Sequence, residues 1–140
     1  MNGQPDTVGT NAAIAPVDLR FEVRDGCLCV RSSGTIDTLE AAIEFFRRIA
    51  AEVRRVHATG LMIVDSSDGI VPNAAEFETL AGSMRNEGFE GVRIAFVDVK
   101  GTAIGRIEVG EIVARRHGYH FRVFDSEPLA WLWLRYGKDD

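Results

Sequence analysis

The chain has 140 residues, 46% of them hydrophobic and 26% charged, with a formal net charge of −5. That length suits one domain with a real core, and the acidic balance opposes binding to nucleic acid, which needs a basic face. No apolar run approaches the roughly 20 residues of a membrane span, no charged-then-apolar leader opens the chain, and Cys27 and Cys29 are too few for a disulfide framework, so the composition reads as a cytosolic protein.

Residues 1–16 are rich in Gly, Asn, Thr and Ala without periodicity and read as a flexible tail, leaving 17–137 as the domain. In 18–26, Leu19, Phe21 and Val23 alternate with Arg20, Glu22 and Arg24, a half-buried strand. Asp25-Gly26 is a two-residue hairpin signal, and 27–34 is the return strand. Asp37 is the expected cap of a first helix, with Glu40 three residues on. Behind it Leu39, Ala42, Ile43, Phe46, Ile49, Ala50 and Val53 recur at helical spacing, and Gly60 stands past the end. The continuous apolar run 61–65 is a central strand. After a loop, Asn73 and Glu76 open a second helix closed by Glu87-Gly88. Residues 92–98 are the next strand. Gly101, Gly105 and Gly110 leave 99–109 without a clear assignment. A helix over 111–118, a strand over 119–125 and a last helix capped by Ser126 complete the chain.

The order β-β-α-β-α-β-α-β-α predicts an α/β fold. Its five-stranded mixed sheet has an antiparallel N-terminal hairpin and is otherwise parallel, joined by right-handed crossovers. Splitting the strands by alternation gives one apolar face of Leu19, Phe21, Val23, Val92, Ile94, Phe96, Tyr119, Phe121 and Val123. The other face collects Arg20, Glu22, Arg24, Arg93, His120 and Arg122 around Ala95, Val97 and Phe124. Helices are therefore expected mainly on the first face. The second can be solvated, pair with another copy, or receive a partner. In the last helix, Leu129, Leu132 and Trp133 are assigned to one side and Ala130, Trp131 and Leu134 in part to the other. Core packing is the expected role of both indoles. Any surplus ring, expected to be Trp131, is left for the first helix, a partner or an apolar ligand.

The strands 60–65 and 93–98 and the ending EIVARRHGYHFRVFDSEPLAWLWL (111–134) resemble the STAS superfamily, named for sulfate transporters and anti-sigma factor antagonists. The nearest likeness is to stand-alone SpoIIAA-like domains, and it spans about residues 18–136. The resemblance implies a sheet whose helices wind as a superhelix, and a binding or regulatory module. Family antagonists carry an Asp-Ser-Ser-Gly-like segment whose serine is phosphorylated to switch partner binding. Here Asp65 is the aspartate that ends the strand, and Ser66 and Ser67 follow it directly. The position about eight residues on, where the switch would stand, holds Asn73-Ala74-Ala75-Glu76, which has no hydroxyl. The switch is expected to be absent, with Ser66 and Ser67 bonding the turn.

Asp37, Asp65, Asp98 and Asp125 follow strand ends, where α/β sheets bind ligands and where carboxylates could hold Mg²⁺. Aspartates at such junctions commonly cap helices, and no metal is expected. His57, His117 and His120 are scattered, and no nucleophile, phosphate loop or Cys-x-x-Cys signature accompanies them. The resulting expectation is a non-enzymatic module with no cofactor, binding a protein partner or a second copy. Its contact candidates are Asp65, Ser66, Ser67, Asn73, Arg93, Arg122 and Trp131. The alternative is a carrier of a small apolar or lipid-like ligand, suggested by the aromatic last helix and the small residues around Gly82. That carrier would need an enclosed pocket of roughly 300 Å³ or more.

Overall fold

The structure, a computed structural model, describes residues 17–137; the expectation for residues 1–16 lies outside them. Strands β1 (Asp18–Arg24) and β2 (Cys27–Ser33) form a hairpin. Asp25 (φ 50°) and Gly26 (φ 79°) make its turn, since both central positions of this tight turn need positive φ. After β3 (Thr35–Ile36) come α1 (Leu39–Val56), β4 (Gly60–Asp65), β5 (Asp68–Gly69) and α2 (Ala74–Ser83). They are followed by β6 (Arg93–Asp98), α3 (Ile104–Arg116), β7 (His120–Phe124) and α4 (Glu127–Tyr136). The main sheet runs β1-β2-β4-β6-β7, antiparallel only between β1 and β2.

The helices divide three to one between the faces of this sheet. On one face Leu28, Val30, Leu61, Ile63, Ile94 and Phe96 pack against Phe45, Ile49, Ala50 and Val53 of α1 and against Leu80 of α2, with Ile107 of α3 beside them. On the reverse face Met62, Val64, Ala95 and Val97 pack against Ala130, Trp133 and Leu134 of α4. The reverse surface is thus the seat of α4. Arg93 and Arg122 lie beneath that helix, their guanidinium carbons 4.6 and 6.0 Å from the Trp133 ring centroid. A guanidinium keeps favourable electrostatics against an indole face, so arginine is compatible with a covered sheet surface. Ionic contacts hold both ends of α4. Glu127 accepts two 2.9 Å hydrogen bonds from Arg31 of β2, and Asp25 in the hairpin accepts one from Arg135 at 3.1 Å.

The buried side of α4 is Ala130, Trp133 and Leu134, spaced i, i+3, i+4, while Leu129 and Leu132 face outward. The sequence grouping of Leu129, Leu132 and Trp133 is corrected accordingly. Trp131 is not near α1: its ring lies 4.4 Å from the Arg24 guanidinium carbon and 5.6 Å from that of Arg135.

Several element boundaries also move. The α1 cap is Thr38, whose hydroxyl accepts from Ala41 N at 3.0 Å, rather than Asp37. The helix closes on His57 in the left-handed region, three residues before Gly60. Helix α2 stops at Ser83, before the Glu87-Gly88 stop. Helix α3 begins at Ile104, inside the unassigned stretch, and carries Gly110 within it because the packing needs no side chain there. A Cβ there would lie 2.6–3.0 Å from the ring of Phe77. Gly110→Ala should therefore lower stability by about 1 kcal/mol, overpacking outweighing the gain in helix propensity. Gly82→Ala, whose Cβ would meet nothing within 4 Å, should instead raise it by roughly 0.5–1 kcal/mol. Urea denaturation of both variants checks this opposition of signs.

The Arg31–Glu127 contact also gives α4 a pH dependence. The hydrogen bond from Arg31 is the main cause holding the Glu127 carboxyl below its ordinary range, against a smaller upward push from desolvation. A carboxyl lowered in the folded state contributes stability that is present above its unfolded value. That contribution is lost as pH falls through the folded value. After correction for the intrinsic exchange rate, amide protection in α4 should therefore fall under acid more than that of β4, and Glu127→Gln should reduce the difference.

Candidate functional site

The carboxyl ends of β4 and β6 gather most of the sequence candidates. Asp65 ends β4, where Ser32 Oγ donates to its Oδ1 at 2.8 Å and Ser67 N does so at 3.0 Å. The strand-end carboxylate thus builds the turn that follows it. The backbone N–H of Ser66 continues the ladder to Ser32 O at 2.9 Å. Neither the Ser66 nor the Ser67 hydroxyl makes a hydrogen bond among the described residues, so the turn is bonded through backbone N–H groups and Asp65.

The next residues fold back on the β2–α1 connection. Asp68–Gly69 pairs in parallel with Thr35–Ile36, a two-strand clip too short to leave a periodic signature. Gly69 has φ +119°, and a Cβ on it would collide with the carbonyl of Ile36, so the clip needs glycine there. An ion pair from Lys100 to Asp68 joins the loop after β6 to this clip, and Val99 N donates to Asp65 O at 3.0 Å. Two loops are thereby locked together. They present Ile70 and Val99, each 53% exposed, with Val71 and Pro72 half-buried beside Ile70.

Asn73 then caps α2 in a reciprocal box. Its side chain accepts from Glu76 N at 2.8 Å, and its own N–H donates to Glu76 Oε1 at 3.0 Å. Asp98 is buried next to Asp65 in the β4–β6 register and accepts from Ala103 N at 3.1 Å at the start of α3. Both aspartates thus serve turns and helix starts, while Asp37 and Asp125 are exposed. Among the described residues no three His, Cys, Asp or Glu side chains converge as metal ligands.

Beneath the clip lies an apolar cavity of about 140 Å³. Phe45 and Phe46 of α1, Phe77 and Leu80 of α2, and Ile107 of α3 line it above Ile94 and Phe96. Asp65 and Ser67 are among its few polar neighbours. Sequence reasoning pointed toward this region through Gly82, yet Gly82 faces open space and its neighbour Ala81 lines the cavity. The signal available was the cluster of aromatics on α1 and α2, which reads equally as core.

The remaining candidates stand elsewhere. Arg93, Arg122 and Trp131 belong to the α4 layer. His57 caps α1, His117 meets Glu78 at 2.7 Å, and His120 is on β7. These places bring the histidines to separate elements. The thiols of Cys27 and Cys29 are pushed up, chiefly by burial, which favours the unreactive protonated form.

No protein-family model matches the chain, and no curated protein matches it either. Among solved structures it is similar to an anti-sigma factor antagonist from Mycobacterium paratuberculosis, at 17% sequence identity and a TM-score of 0.52. The match covers 85% of this chain and 94% of that one. No helix among the described residues is long and apolar enough to cross a membrane. With its antiparallel opening hairpin, parallel remainder and four helices, the chain has a STAS/SpoIIAA-like fold.

Proposed function

We propose that this domain is a non-enzymatic regulatory module of the cytosol that binds a protein partner at the carboxyl end of its sheet, without a serine switch at the head of α2. The carrying observation is the pair of exposed apolar side chains, Ile70 and Val99, on loops locked by the clip and the Lys100–Asp68 pair. Apolar groups held rigidly in water suit a binding surface, because little conformational entropy is lost when they are covered. Asp65, Ser66, Ser67 and Asn73 supply a polar margin. The fold neighbour antagonises an anti-sigma factor, itself a protein. Asn73 supports the absence of the switch, since its amide already fills the capping role and offers no hydroxyl for phosphate. Free, protonated thiols suit a reducing compartment.

Quantitative affinity capture with the wild type and with the Ile70→Asp/Val99→Asp double variant tests the reading. A partner enriched by the wild type and lost with a normally folded variant supports it, and an unchanged set of captured proteins contradicts it. The second reading, a small-ligand carrier, rests on the 140 Å³ cavity. That volume lies below the range for drug-sized or lipid-like ligands and fits a single-ring molecule. Saturation with benzene should raise the melting temperature of the wild type and not of Gly110→Ala, where Phe77 is displaced.

A further inference from the structure

Among the described residues strand β1 is an edge of the sheet, and six of its seven residues are exposed, including Phe21 (39%) and Val23 (56%). The opposite edge differs: β7 is half-buried throughout, with Phe121 in the α1–α3 core and Phe124 against Trp133. Natural edge strands are usually short, bulged, charged, proline-bearing or covered, and of these devices β1 has only charge, at Asp18, Arg20, Glu22 and Arg24. β1 is seven residues long and pairs with β2 without interruption, and its sequence DLRFEVR contains no proline.

That sequence is self-complementary when laid antiparallel on itself. With Phe21 opposite Phe21 of a second copy, Arg20 faces Glu22, Asp18 faces Arg24 and Leu19 faces Val23, each in both directions. Every charge meets its opposite, and every apolar side chain meets an apolar one. Pairing within the chain accounts for only part of this pattern: Arg20 donates to Asp18 at 3.2 Å, and Arg24 lies 4.4 Å from the Trp131 ring. There Arg20 stands across from Arg31, Glu22 across from Cys29, and Glu22 makes no ion pair among the described residues. Like charges directly opposite on neighbouring strands are unfavourable, and opposite charges are favourable.

The backbone agrees. In an antiparallel ladder closed by a two-residue turn, the residues flanking the turn hydrogen-bond to each other, and hydrogen-bonded pairs then alternate. Counting from Arg24 and Cys27, the outward N–H and C=O groups belong to Leu19, Phe21 and Val23. In the Phe21-centred register these same residues stand opposite one another, so about six hydrogen bonds can form across the edge.

We infer that β1 is a self-recognition edge through which two copies join antiparallel about a two-fold axis at Phe21, giving one continuous sheet. Leu19, Phe21 and Val23 of both copies then lie together on the α1 side, and the charged residues alternate in sign on the reverse side. The inference stands on a different surface from the partner site and does not depend on it.

Sedimentation velocity from micromolar to millimolar concentration, with charge-swapped variants, is the test. The wild type should form dimers. Arg20→Glu alone places Glu against Glu22 at both symmetric contacts, and Glu22→Arg alone places Arg against Arg20. Each should raise the dimer dissociation constant about tenfold or more. Mixing the two variants restores every opposite pair and should yield a mixed dimer, and the double variant within one chain should dimerise as the wild type does. Both positions are exposed, and unchanged circular dichroism checks the folds. A wild type monomeric at every concentration overturns the inference. Single variants that dimerise undiminished, or a mixture that does not associate, overturn it equally.

Discussion

Trp133→Ala should lower the free energy of unfolding by about 3–5 kcal/mol, the usual cost of deleting a large buried aromatic. Trp133 is 7% exposed and tilts against Phe124 with ring centroids 5.7 Å apart. It also covers the Arg93 guanidinium at 4.6 Å. Its removal does more than leave a void, because it also takes the aromatic face away from the Arg93 guanidinium. Urea denaturation followed by far-ultraviolet circular dichroism measures the loss. A cost below about 1 kcal/mol would mean that α4 does not depend on this ring. Trp133→Phe, which keeps an aromatic face and discards the buried Nε1–H, should lose much less, since that N–H has no hydrogen-bond partner among the described residues.

Ile63→Ala on the other side of the sheet should cost about 2–5 kcal/mol. Ile63 is fully buried among α1 and its neighbouring strands and does not border the 140 Å³ cavity, so no existing space lets the site collapse around a smaller residue. Against a typical total of about 5–15 kcal/mol, either change removes a large share of the fold's stability. The two sites belong to separate core clusters on opposite sheet faces. Their effects should therefore add to within about 0.5 kcal/mol in the double variant, provided it still folds. A strongly non-additive result would mean that the two layers are coupled through the sheet.

The succession of strands along the chain and the face under α1 were legible because period-2 alternation and continuous apolar runs record burial directly. The reverse face was harder. Arg93 and Arg122 read as wet residues, and only the spatial approach of Trp133 makes them a covered layer. The start of α3 was hidden because Gly105 and Gly110 lower intrinsic helicity, whereas the fold uses the missing side chain of Gly110 to admit Phe77. At the candidate site, the Asn73 capping box was visible as a local pattern. The β3–β5 clip was not, since two residues per strand carry no period, and the cavity needs three helices and a sheet to exist. Thr38 displaced Asp37 as a cap by a single position, within the ordinary uncertainty of helix boundaries.

Both tryptophans of the chain stand on α4, and no other element carries one. Their intrinsic fluorescence therefore reports on one layer of the molecule. Docked, the buried Trp133 should emit at short wavelength, and release of α4 should shift its emission to the red while the β4–α1 side remains intact. An unmodified sample thus carries an optical gauge of whether its last helix is seated, readable without a label and at concentrations too low for chains to associate.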